Sequence, residues 1–103
     1  YRDDHSPGLE SPADAPMFDL IRRVIAERCY GATVIPWQCA GSTDAKHLVP
    51  HGIPVYGFVP SLPLPEGVEA AGIHASNERI WLENLSFMLD VLYDLTYRFC
   101  SQA

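Results

Sequence analysis

Positive charge is what this chain lacks most. Seven Lys and Arg stand against thirteen Asp and Glu, a formal net charge of -6. Affinity for a phosphate backbone comes from grouped Lys and Arg that displace counterions, and no such group exists here, so nucleic acid is not an expected partner. The acidic residues are scattered, which predicts solubility rather than a particular ligand. Cysteine is scarce as well. Cys29, Cys39 and Cys100 form no CxxC pair, leave an odd thiol under any disulfide scheme and lack zinc-finger spacing. They are expected to be buried free thiols, which favours a reducing, cytoplasmic compartment. No apolar run is long enough to span a bilayer, so no membrane is expected as a partner. No signal-peptide pattern stands at Tyr1. Tyr1 is not an initiator methionine, so further sequence is expected to precede it and that last absence carries no weight.

What the chain does have is an ordinary globular composition, 48% hydrophobic and 19% charged, which separates it from disordered segments. Its 103 residues suffice for one small domain with a core. Residues 1–13 are polar, with two prolines and a glycine, and read as a linker. A helix is predicted from Asp14 as N-cap, with Pro16 in the first turn and Gly31 as terminator. Met17, Ile21, Val24 and Ile25 form its apolar stripe. Thr33–Trp37 is a short β-branched run and reads as a strand whose Pro36 must lie at an end or an unpaired edge. One or two helical turns are predicted over residues 44–51, capped by Thr43 or Asp44. Pro54–Val59 reads as a second, buried strand with Tyr56 and Phe58 in the core. The prolines between Pro60 and Gly67 predict a loop. The clearest element is a helix over residues 83–100, with Leu85, Met88, Leu92, Leu95 and Phe99 as its stripe and Asp94–Arg98 as an i,i+4 pair. Trp37, Trp81, Tyr93 and Tyr97 show no stacking pattern and are expected in a core or interface. The order α-β-α-β-α predicts an α/β layer, part of a mixed sheet flanked by helices. Two strands are too few to stand alone, so this reading makes the chain a piece of a larger domain.

Three motifs follow one another: Gly41-Ser42-Thr43-Asp44-Ala45-Lys46, then Gly52-Ile53-Pro54-Val55-Tyr56-Gly57-Phe58, then His74-Ala75-Ser76-Asn77-Glu78-Arg79-Ile80. In this order, with a long amphipathic helix behind them, they resemble the C-terminal end of the catalytic domain in one enzyme family. It is that of the co-catalytic zinc exopeptidases: aminoacylase, carnosinase-like dipeptidases, glutamate carboxypeptidases and succinyl-diaminopimelate desuccinylase. The resemblance runs from about Ser11 to Phe99.

The resemblance implies a zinc-exopeptidase-type fold and an amide hydrolase holding two zinc ions, with cobalt or manganese as possible replacements. Its substrates would be dipeptides, N-acyl amino acids or similar carboxylate-bearing amides. It implies that His74 is a ligand of one metal ion; on spacing alone, His74 is a surface-loop histidine. It implies that Gly41, Ser42 and Thr43 line the substrate, whose carboxylate backbone N–H groups could receive. A plain strand-to-helix turn capped by Asp44 accounts for the same residues. Asn77 and Glu78 would support the His74 loop, or be a turn residue and a surface ion-pair member. The other ligands and the general base would lie upstream, so this segment holds no catalytic residue and is expected to be inactive alone. His5, His47 and His51 read as solvated loop histidines. Residues 1–13 would return from a lid domain not contained here, through which the enzyme would form a homodimer, and residues 14–103 would be the C-terminal part of the catalytic domain. The alternative is a non-catalytic structural or interaction domain derived from the same fold.

Overall fold

A computed structural model describes residues 8–69 and 72–102; the linker reading of residues 1–7, His5 included, lies outside the described residues. Among the described residues three α-helices form, α1 (Pro16–Arg28), α2 (Ala45–Leu48) and α3 (Leu82–Cys100), with a 3-10 turn at Val49–His51. The chain divides into two compact units, Tyr1–Gly57 and Phe58–Ala103.

In the first unit α1 starts at Pro16, whose missing N–H costs nothing in a first turn. Asp19 in that turn and Arg28 in the last complement the helix dipole. The N-cap is Ala15 and makes no side-chain bond, so Asp14 does not cap the helix as its sequence position suggests. Phe18, Leu20, Ile21, Val24 and Ile25 are buried. Phe18 also packs against Tyr56, with ring centroids 5.5 Å apart, and carries the Arg22 guanidinium 4.7 Å above its ring. Beyond the helix the Ala32 N–H donates to the Cys29 carbonyl at 3.0 Å, with Gly31 at φ 80.

The expected α/β sheet does not form. Among the described residues there is no strand: Thr33–Trp37 and Pro54–Val59 are unpaired, and only Arg79 makes an isolated bridge. A strand is stable only when another backbone takes up its N–H and C=O groups. Thr33–Trp37 finds none and stays in solvent, with Ile35 70% and Trp37 80% exposed. At Val55 a side chain substitutes for the partner. The Ser11 hydroxyl donates to the Val55 carbonyl at 2.8 Å and accepts the Val55 N–H at 2.9 Å. The Tyr56 hydroxyl donates to the Pro12 carbonyl. Its pKa is raised, first by burial and then by the Asp14 charge. Ser11 and Pro12 are thus tied down within the span read as a linker.

Ser11→Ala should therefore release Val55. Two lost bonds at a half-buried site cost about 1–2 kcal/mol, so amide exchange over residues 53–57 should accelerate roughly tenfold. Unchanged protection would show that Ser11 does not hold this segment.

In the second unit α3 begins one residue before the expected Glu83, and its Arg98 Nε donates to Asp94 Oδ1 at 2.8 Å. The buried face differs from the expected stripe. Asn84, Val91 and Leu95 are buried, whereas Leu85 (50%), Leu92 and Phe99 are exposed. Asp94 and Arg98, the expected i,i+4 pair, are half-buried. Leucines and aromatics cover more than half of this helix's circumference, so 3.6-residue spacing fits two faces equally and burial elsewhere decides between them. Asn84 explains part of that choice. Its Oδ1 accepts the Leu62 N–H at 2.6 Å and its Nδ2 donates to the Leu62 carbonyl at 3.2 Å. The proline-rich loop is thereby fixed to the first turn of the helix.

Trp37, Tyr93 and Tyr97 are not core residues: all three are exposed. Tyr93 and Tyr97 stack one helical turn apart, with centroids at 6.4 Å. The cysteines are free, but Cys39 and Cys100 are exposed and Cys29 is only half-buried, against the expectation of burial. Among the described residues no helix is long and apolar enough to cross a membrane.

Candidate functional site

His74, Asn77 and Glu78 share one loop of the second unit, between Gly72 and Ile80. The Ala75 N–H donates to the Gly72 carbonyl at 2.7 Å and closes a tight turn with His74 as its third residue. His74 has φ 62, and so does Asn77. Residues with a Cβ are uncommon in the left-handed region, and asparagine and histidine are among those that enter it most often. Gly72 has φ 83, and its Cα faces the backbone of Ser76 and Glu78. The loop therefore folds back on itself and leaves His74 exposed at its turn. Among the described residues no hydrogen bond links Asn77 or Glu78 to His74; what Glu78 contributes is its backbone against Gly72. Sequence reasoning missed Gly72, although a glycine two residues before a candidate ligand signals a special backbone position.

Gly41, Ser42 and Thr43 belong to the first unit and are all exposed. The Gly41 N–H donates to Cys39 Sγ at 3.4 Å, and the Ala45 N–H to Thr43 Oγ1 at 3.3 Å. Asp44 takes the N-cap position of α2 without a side-chain bond, so Thr43 provides the capping oxygen. A Cβ on Gly41 would meet only Cys39 Sγ, at an ordinary 3.5 Å. Nothing in the described chain requires glycine at that position.

His47 lies in α2 and His51 in the 3-10 turn, both exposed. Among the described residues no three His, Cys, Asp or Glu side chains converge as a metal site. The donor chemistry fits a divalent metal only as one ligand of a larger set. His74 is an exposed imidazole to which no hydrogen bond is made among the described residues.

The architecture is thus helical, with one extended segment held by the Ser11 side chain and one histidine displayed on a left-handed turn. The chain belongs to the family described as Peptidase family M20/M25/M40, which matches residues 1–98. This is a family of hydrolases. The chain is also 31% identical over 86 residues to the N-fatty-acyl-amino acid synthase/hydrolase PM20D1 of Xenopus tropicalis. That alignment covers 82% of this chain and 16% of the relative, so the chain spans about a sixth of that relative's length. No solved structure matches it.

Proposed function

We propose that this chain is the C-terminal part of the catalytic domain of a metal-dependent hydrolase. It would cleave the amide bond of N-acyl amino acids or dipeptides with a free carboxylate. The observation that carries the reading is the family match across residues 1–98. The fatty-acyl amino acid chemistry named for the relative favours N-acyl amino acids within that class. His74 serves as one ligand to a divalent metal, zinc by preference, in a two-metal site completed by upstream residues. Such a metal, when bound, polarises the amide carbonyl and activates water. Asn77 and Glu78 maintain the His74 loop. Gly41, Ser42 and Thr43 line the substrate. The segment by itself is inactive for want of ligands and base. Residues 1–13 lead in from a lid domain through which the enzyme dimerises, and residues 14–103 complete the catalytic domain.

The test uses the natural polypeptide that contains this segment. Metal per chain and hydrolysis of N-acyl amino acids and dipeptides are measured before and after chelation, and after zinc, cobalt or manganese is returned. Two ions per chain and activity lost with the metal are expected. Full activity in metal-free protein overturns the reading. Absence of both metal and hydrolysis selects the alternative, a structural or interaction domain of the same fold.

Gly41→Val tests the substrate assignment. Among the described residues a Cβ at this exposed position meets only Cys39 Sγ, at 3.5 Å, so thermal unfolding should stay within about 2–4 °C of wild type. If the turn receives the substrate carboxylate, kcat/KM for the acid should fall toward that of the matched amide. An unchanged acid-to-amide ratio would leave Gly41 as a turn residue only.

A further inference from the structure

Among the described residues, three turns outside the helices combine a hydrogen bond between their first and fourth residues with a left-handed third residue. Cys29 accepts from Ala32 at 3.0 Å, Pro65 from Val68 at 3.1 Å, and Gly72 from Ala75 at 2.7 Å. In each, the third residue lies in the left-handed region: Gly31 at φ 80, Gly67 at φ 79 and His74 at φ 62. Glycine enters that region without steric penalty, whereas a residue with a Cβ held there costs on the order of 1–3 kcal/mol. Two of the turns use glycine where geometry asks for it. The third places a histidine there and closes with the shortest bond of the three.

The surroundings hold that histidine in place. Gly72 is itself left-handed, at φ 83. A Cβ added to it would lie 3.2 Å from Glu78 Cα, 3.3 Å from Glu78 N and 3.4 Å from Ser76 O. All three are backbone atoms, so no flexible side chain can yield. A side chain at residue 72 would be strained at that φ and would press on the returning backbone of residues 76–78.

We infer that the Gly72–Ala75 turn is a positioning device for His74, in which Gly72 and the Ala75 N–H fix the backbone at residue 74 and so the direction in which its Cα–Cβ bond presents the imidazole as a metal ligand. The inference rests on reading His74 as a ligand. A pre-set ligand loses less freedom on binding, and groups that orient a metal-bound histidine are typically worth about 10–100-fold in metal affinity.

The test is zinc affinity, by competition with a chromophoric chelator, in the natural polypeptide that contains this segment. Ala75→Pro removes the donor that closes the turn and biases residue 74 away from its left-handed conformation. Ala75→Ser keeps the N–H. Gly72→Ala places the Cβ against Ser76 and Glu78, and His74→Ala reports the ligand itself. Ala75→Pro and Gly72→Ala should weaken zinc binding about 10–100-fold with the fold retained by circular dichroism, while Ala75→Ser binds as wild type. Should Gly72→Ala fail to fold, the Ala75 pair, at an exposed position, carries the test. Weakened binding in His74→Ala with wild-type affinity in Ala75→Pro overturns the positioning role and leaves the ligand standing. Wild-type affinity in His74→Ala overturns both.

Discussion

Replacing His74 by alanine in the natural polypeptide that contains this segment is expected to lower kcat/KM for amide hydrolysis by at least about 100-fold, since even groups that only orient a ligand are worth 10–100-fold. Metal occupancy should fall with it, because a catalytic site depends on each of about three protein ligands. Asp90→Ala, on an exposed face of α3, should leave turnover near wild type. Stability separates a ligand from a structural residue. His74 stands at φ 62, so His74→Gly relieves a left-handed side chain but adds freedom to the unfolded chain; the two effects, each on the order of 1 kcal/mol, nearly offset. Activity should therefore collapse in His74→Gly while the unfolding midpoint of the metal-free protein holds or rises, since loss of bound metal would itself lower the midpoint. Equal activity of His74→Ala and Asp90→Ala at matched metal loading would remove the ligand assignment. A large loss of stability in metal-free His74→Gly relative to metal-free wild type would recast His74 as a structural residue.

Asn84→Ala is expected to give the largest loss of stability in the second unit. The side chain is buried and satisfies both backbone groups of Leu62. Its removal leaves two polar groups of the half-buried Leu62 to partial solvation, at about 1–2 kcal/mol each, so a loss of roughly 2–4 kcal/mol follows. Asn84→Asp is the informative companion. It can still accept from the Leu62 N–H, but it has no N–H for the Leu62 carbonyl and faces that oxygen with negative charge. It should lose nearly as much as alanine at neutral pH and recover in acid, where the protonated carboxyl can donate. Chemical denaturation across pH checks this. An Asp variant as stable as wild type at neutral pH would show that only the bond to the Leu62 N–H matters.

The helices were legible because their signals are local. Pro16 at the first turn, Gly31 beyond the last and the 3.6-residue recurrence of Ile21, Val24 and Ile25 locate α1 to within two or three residues. The same logic locates α3 to within one. The two strands were read from β-branched content at Thr33–Trp37 and from a run apolar on both sides at Pro54–Val59, and neither carries information on whether a partner exists. Ser11 and Asn84 were not anticipated, because they act across 44 and 22 residues of sequence and look like ordinary polar positions. The tight turn behind His74 was within reach: the glycine at position 72 was visible, but its close approach to Glu78 exists only once the loop closes.

The sequence by itself determined the helical segments, the absence of a basic surface and the family, since three ordered motifs survive without knowledge of contacts. Tertiary structure alone decided which face of α3 is buried, what satisfies Val55 and Leu62, and that His74 occupies a glycine's conformation. The division is physical. Propensity and periodicity act within a few residues, whereas the partner of a backbone N–H and the burial of one helix face depend on what the chain brings alongside from elsewhere.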